Sequence, residues 1–300
     1  AGPASLAFRP DALQPGDIGA ALAALGRAEG ELTATLTAAL GAGGTLDTGL
    51  DLRLGGLDIA RGALAAEGLS GRLRLVSLAP PATAGGQRIE AARVTAGVPL
   101  GESAATLRLH PDGRIEVRDA TAALAGGTVR VAAIDWRPGR ESTRFEARLD
   151  GVSLGRLLRD WRIEGISGEG RLSGTIPVRL AAGGAAIDDG RLAAAGPGVL
   201  RVDWGAARER LVAQGQQVRL AVEALEDFRY ETLTVAVDQT AGGTLTLGVG
   251  LSGANPAVLD GYPFRFNVTL EGELAPILEA VRQGRRIGGG LIRGGIGGGG

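Results

Sequence analysis

Gly168-Glu169-Gly170-Arg171-Leu172-Ser173-Gly174-Thr175-Ile176-Pro177-Val178-Arg179-Leu180 is the stretch whose reading decides the fold. From Leu172 onward its even positions are apolar or bare: Leu172, Gly174, Ile176, Val178 and Leu180. Its odd positions are mostly polar: Arg171, Ser173, Thr175 and Arg179. A period of two is that of a strand with one apolar and one wetted face. At about 3.3 Å per residue, Arg171 to Leu180 reaches roughly 30 Å. Pro177 has no N–H to give to a ladder, so it marks an edge or a bulge. The apolar face needs a cover, and the rest of the chain must supply one or leave the face open.

The same alternation recurs on both sides. Upstream, residues 1–16 carry three prolines and read as an entry linker, and Asp17 N-caps an Ala/Leu-rich helix running to about Ala28. Glu31–Leu40 and Asp47–Leu54 alternate as strands, and the apolar phase slips at Gly55-Gly56, as at a bulge or tight turn. Strands follow at Leu69–Leu75, Ile89–Ala96, Thr106–Leu109, Ile115–Arg118, Thr128–Ile134 and Arg144–Leu149. Pro80-Pro81 breaks the pattern after the first, and His110-Pro111-Asp112-Gly113 suits a type I turn. Ser153 is the N-cap of a short helix reaching Trp161, with Leu154, Leu157 and Leu158 on one face.

Downstream, Ala185–Ile187 and Arg191–Ala195 form a hairpin about Asp188-Asp189-Gly190. Val199–Val202 is a further strand, and Ala206–Gln214 fits a helix. Gln217–Leu225 fits strand or helix, with Val218, Leu220 and Val222 favouring strand. Leu233–Val237, Thr244–Leu251 and Pro263–Leu270 are strands, the last with Phe264, Phe266, Val268 and Leu270 on one face. A final helix spans Ala275–Gly284, and the Gly-rich tail from Ile287 has no structure of its own. A dozen or more strands at this spacing make an antiparallel meander. Three or four short helices are too few to plate it, so the apolar faces either cover one another in a sandwich or barrel or line something open.

Composition narrows the chemistry. In 300 residues, 44% are hydrophobic but only 3% aromatic, so the core is aliphatic. The 52 glycines are interleaved with alternating apolar residues and read as turns and bulges. A net charge of −1 implies no general attraction to nucleic acid or anionic membrane. Without cysteine there is no disulfide, thiolate chemistry or zinc–cysteine site. No run of 18 or more apolar residues makes a spanning helix, and no signal peptide is present. Met is absent and the chain starts at Ala1, as expected of a piece of a longer protein.

No motif points to an enzyme. The single histidine, His110, sits in a turn. Gly248–Gly253 matches GxGxxG, but Ala254-Asn255-Pro256 follows where a dinucleotide fold opens a helix. Without lysine a P-loop is impossible. The pairs Asp47/Asp51 and Asp188/Asp189 read as solvated charges, and Trp136, Trp161 and Trp204 as core or rim residues. No metal site, catalytic residue or cofactor is expected.

Four segments carry a resemblance: Val152–Trp161 (VSLGRLLRDW), Gly165–Leu180 (GISGEGRLSGTIPVRL), Ala186–Val202 (AIDDGRLAAAGPGVLRV) and Gly261–Leu274 (GYPFRFNVTLEGEL). In that order they resemble the C-terminal region of the YdbH-like proteins, formerly called the dicarboxylate transport family, grouped with AsmA-like and TamB-like proteins of the Gram-negative envelope. The likeness covers mainly residues 150–285; before 150 the chain shows the general repetitive β style. It implies a mainly β fold: an extended, strongly curved antiparallel sheet shaped as a groove, with three or four short helices. Residues 1–150 would be a repetitive groove segment, 151–286 the C-terminal region and 287–300 a tail. It implies a periplasmic phospholipid bridge between membranes, an inner-membrane anchor upstream of Ala1, and contact with a small outer-membrane lipoprotein at the C-terminal end. Leu172, Ile176, Val178 and Leu180 are then candidates to line the groove, with Leu245, Leu247, Val249, Leu251, Phe264, Phe266 and Val268. The alternative is a closed β module of the envelope that binds a partner through sheet edges or tail.

Overall fold

The computed structural model describes residues 3–9, 14, 17, 26–40, 46–61, 64–78, 80–137, 139–161, 163–181 and 184–273. The chain is mostly β, at 67% strand with antiparallel pairing, and the described residues include three short helices. It divides into two compact units, Ala1–Ala123 with Arg130–Phe145 and Leu124–Val129 with Glu146–Gly300.

The first unit opens with β1 (Pro3–Phe8), where a linker was expected. Its prolines mislead because Pro3 starts the strand, a position where no ladder N–H is required. β2 (Arg27–Leu40), β3 (Leu46–Arg61) and β4 (Leu64–Leu78) continue as an antiparallel meander. Arg27 and Ala28 belong to β2 and not to the helix expected from Asp17 to about Ala28; residues 18–25 lie outside the described part. The slip at Gly55-Gly56 is a bulge inside β3, with register shifts on both sides of Leu57. Beyond β4 lie three short strands, β5 (Pro81–Thr83), β6 (Gln87–Ala91) and β7 (Arg93–Ala96), all paired with it. β8 (Val98–Leu100) pairs with β7, and β9 (Ser103–Leu109) pairs with β6 and with β10 (Ile115–Leu124). β11 (Gly127–Trp136) and β12 (Ser142–Ser153) follow, each with residues assigned to both units. Phe8, Ala28, Leu32, Leu52 and Leu57 form this unit's core, on one face of β1–β3. On the opposite face Arg72 and Asp51 pair across strands, and the Arg72 guanidinium holds the Asp51 carboxyl below its ordinary range.

In the second unit, α1 (Leu154–Asp160) begins at Ser153, whose Oγ accepts from the Arg156 N–H at 3.3 Å. The stretch quoted at the outset is two strands: β13 (Ile166–Glu169) and β14 (Arg171–Ala181), separated by Gly170. Pro177 lies in a bulge, where the β14 register shifts between Thr175 and Val178. β15 (Gly184–Ala194) runs straight through Asp188-Asp189-Gly190, so the expected hairpin there is a bulge as well. Asp189 takes up the left-handed backbone, its N–H donates to Asp238, and the missing side chain of Gly190 leaves room for Ile176. β16 (Gly198–Val202) leads through a 3-10 turn to α2 (Arg208–Val212) and α3 (Gln216–Glu226). α3 stands where alternation favoured a strand: Val218, Val222 and Leu225 share a helical face as well as Val218, Leu220 and Val222 share a strand face. The packing of Leu225 onto the core decides between them. β17 (Phe228–Gln239), β18 (Thr244–Ala254) and β19 (Phe264–Glu273) complete the unit. The helix expected at Ala275–Gly284 and the tail lie outside the described residues.

Candidate functional site

Register places the candidate residues together. In an antiparallel pair, directly opposed residues share a face. β17 sets Leu233, Val235, Val237 and Gln239 against Leu251, Val249, Leu247 and Leu245 of β18. β18 in turn sets Gly253, Leu251, Val249 and Leu247 against Phe264, Phe266, Val268 and Leu270 of β19. On the other flank, β15 sets Leu192 and Gly190 against Val235 and Val237. β14 sets Leu172, Val178 and Leu180 against Ala194, Ile187 and Ala185, and Ile176 lies over Gly190. All eleven candidates therefore stand on one face of the sheet β14-β15-β17-β18-β19. Phe228, Leu233, Val235, Val237, Ile187 and Leu192 belong to the same face and escaped notice, because only cross-strand register identifies them.

The face has two zones. At one end Leu172, Phe228, Tyr230, Leu233 and Leu251 are buried with Leu154 of α1, and Leu158, Leu225, Val249, Phe264 and Phe266 pack against them. Here Leu172 is 2% exposed and Leu251 4%. Phe228 meets Phe266 edge-on at 5.3 Å between centroids, and Phe264 stacks on Phe266 at 6.0 Å. The Tyr230 hydroxyl donates to the Glu169 carbonyl at 2.7 Å, and burial pushes its phenol up from the ordinary range. Gly170 and Gly198 leave the space that this ring fills.

Toward the β14–β15 and β17–β18 turns no helix residue joins the face among the described residues. Ile176 and Leu245 stay buried among their strand neighbours. Val178, Leu180, Leu247 and Val268 are half-buried, and Leu270 is 40% exposed. Five of the eleven candidates (Leu172, Val249, Leu251, Phe264 and Phe266) thus belong to a helix-covered core, and six do not.

Charge is confined to the opposite face. Arg179 forks onto Asp188 at 3.1 and 3.2 Å, and Arg191 binds Asp189 at 2.9 Å. Such exposed pairs contribute little to stability and serve solubility. The described residues of the apolar face carry no carboxylate, amine, imidazole or guanidinium; Tyr230 and Gln239 are its polar members. Such a surface can hold an aliphatic ligand.

His110 engages Glu116 through Nε2 at 2.7 Å and Arg114 through Nδ1 at 3.1 Å. The GxGxxG match runs inside β18. Trp204 donates to the Val222 carbonyl of α3 at 3.2 Å. No group of three or more His, Cys, Asp or Glu suited to a metal occurs among the described residues. No described helix is long and apolar enough to cross a membrane.

One comparison with known proteins is positive. The family model described as "YdbH-like: Intermembrane phospholipid transport protein YdbH" matches residues 2–289, reaching well upstream of the segments that carried the resemblance. No curated protein and no solved structure matches the chain.

Proposed function

The chain belongs to this YdbH-like family of intermembrane phospholipid transport, and on that premise we propose that its apolar sheet face carries phospholipid acyl chains as part of a periplasmic bridge between the inner and outer membranes. The observation that carries the reading is the uncharged face across five strands, half of it without a helical cover among the described residues. A folded chain rarely leaves a broad apolar surface wetted unless something binds there. An acyl chain laid on Val178, Leu180, Leu247 and Val268 gains about 0.8 kcal/mol for each CH₂ withdrawn from water. That contact is non-directional, so lipid slides along it without chemistry. Anchoring in the inner membrane upstream of Ala1 completes the proposal.

A second reading rests on a different observation. The outer edge of β19 has no partner strand among the described residues, and an open edge is a template for another chain. A small outer-membrane lipoprotein adding a strand there fits both the bridge and the alternative of an envelope assembly module.

Mass spectrometry of lipid extracts from the purified chain separates the two. Phospholipid in stoichiometric amount, lost on introducing Val178→Asp into a chain that still folds, supports the conduit. A lipid-free chain whose stability is unchanged by delipidation refutes it and leaves the assembly module.

A further inference from the structure

The loop between β18 and β19 breaks a local rule without a gain inside the fold. It runs Asn255-Pro256-Ala257-Val258-Leu259-Asp260-Gly261-Tyr262-Pro263. Leu259 and Asp260 both take up left-handed backbone, at φ 47° and 53°. Asn, Asp and Gly enter that region readily, whereas a leucine does so at a cost. A core leucine recovers such a cost by packing. Leu259 does not: it is 57% exposed, and Tyr262, three residues on, is 61% exposed. These are the two most exposed large hydrophobic residues among those described.

Their exposure is built in. The buried Asn255 side chain donates to the Glu223 carbonyl of α3 at 2.9 Å and accepts from the Ala257 N–H at 3.0 Å. Val258 is buried, and its N–H donates to the Asn255 carbonyl at 3.0 Å. The Gly261 and Tyr262 N–H groups donate to the Val258 and Leu259 carbonyls, each at 3.1 Å. The Tyr262 ring stands edge-on to Phe264, with centroids 5.9 Å apart. The loop is thus anchored through Asn255 and Val258 and holds Leu259 and Tyr262 out in solvent. Strained backbone that serves no packing is a mark of function.

Composition says what such a tip fits. Pro256, Ala257, Leu259, Tyr262 and Pro263 are exposed, and Asp260 is the one charged residue in the loop. A specific protein interface takes about 20–30 residues a side, and five exposed apolar residues on a turn fall well short. A bilayer asks for no such area. An aliphatic side chain enters the acyl boundary, and a tyrosine sits at headgroup level with its ring in the apolar layer and its hydroxyl wet. With no basic residue in the loop, nothing draws it to anionic lipid in particular.

We propose that the β18–β19 loop is a membrane-contacting tip, with Leu259 and Tyr262 inserting shallowly into the interface of a zwitterionic phospholipid bilayer. This goes beyond the lipid-carrying reading and does not depend on it, since neither residue belongs to the strands that build the apolar face.

Flotation of the 300-residue chain with phosphatidylcholine vesicles tests the tip. Leu259→Asn suits left-handed backbone better than leucine, and Tyr262→Ser removes an exposed ring, so neither variant loses a buried side chain. The parent chain is expected to float, and each variant to bind about tenfold more weakly. The thermal midpoint of Leu259→Asn should equal or exceed the parent's, and added phosphatidylglycerol should not strengthen binding. The chain has no cysteine, so a nitrobenzoxadiazole label on Leu259→Cys reports insertion directly. Its emission should shift to the blue on adding vesicles, while the same label on Ala193→Cys, exposed on β15, should not respond. A label at 259 already shifted without vesicles overturns the proposal, because the chain or a second copy then covers the loop. Phospholipid retained by the purified chain is measured alongside and should be unchanged in both variants. Parent-like flotation of both variants with retained lipid unchanged refutes the tip and leaves the carrying reading intact. A fall in retained lipid also refutes it, because the loop is then part of the carrying surface.

Discussion

Leu251 and Leu247 stand on the same face of the same strand, about 13 Å apart at 3.3 Å per residue, yet truncating them should have different consequences. Leu251 is 4% exposed beneath α1 and α3, with Leu154, Leu172 and Phe228 in its cluster. Leu251→Ala leaves a cavity in a packed core, which costs about 3 kcal/mol. For a unit of this size that lowers the thermal midpoint by roughly 6–12 °C. Leu247 is half-buried and outside that cluster. Leu247→Ala forfeits part of one side chain's transfer energy and creates no enclosed cavity, a loss of about 1 kcal/mol, or roughly 2–4 °C. Retention of phospholipid should show the reverse order, with Leu247→Ala lowering it and Leu251→Ala leaving the lipid of the still-folded fraction unchanged. Differential scanning calorimetry of delipidated protein, with lipid quantified in parallel, reads both quantities. If the two variants melt at the same temperature, the closed core extends along the whole strand and the division into two zones is wrong.

Three further outcomes are expected. Ser153→Ala removes the cap of α1 and should destabilise the second unit by about 1 kcal/mol, with Ser153→Asp restoring it, as measured by thermal unfolding. Gly174→Ala places a methyl group against the Arg191 carbonyl and the Leu192 Cα, backbone that cannot yield without breaking the β14–β15 ladder; a cost of about 1–3 kcal/mol follows, read as faster hydrogen exchange in both strands. Glu116 is held down to about 2 from 4.5 by its hydrogen bonds with His110 and then Arg118, so its contribution to stability is full above pH 4.5 and is lost as pH falls toward 2. Unfolding measured across that window should steepen with acid in the parent chain and flatten in Glu116→Gln.

Much of the sheet was readable because alternation is a local property. Leu172 to Leu180, the slip at Gly55-Gly56, the Pro177 bulge and the Ser153 cap each follow from a few adjacent residues. The failures came where a local signal had two meanings. Asp188-Asp189-Gly190 suits a hairpin turn and equally a bulge, and pairing with β17 on the far side of β15 selects the bulge. Val218, Val222 and Leu225 satisfy helix and strand periods together until Leu225 finds the core. The candidate face was legible position by position, since every apolar residue chosen by parity lies on it. Its two zones were not, because they depend on Leu154, Leu158 and Leu225 arriving from helices far along the chain.

The meander also has an arithmetic consequence. In both units many strands pair with a neighbour in sequence, and the ladder departs from sequence order where β4 pairs with β6 and β7, β9 returns to β6, β16 to β13, and β15 reaches past β16 and the two helices to β17. Each hairpin therefore brings its own backbone partners and its own strip of apolar face, and adds about 10 Å to the width of the sheet. Where strands pair only with their neighbours in sequence, as in β1–β3 and β17–β19, inserting or deleting one leaves the pairing of the rest untouched. In such a stretch chain length becomes a ruler, graduated in hairpins, and the width of the sheet can change in steps.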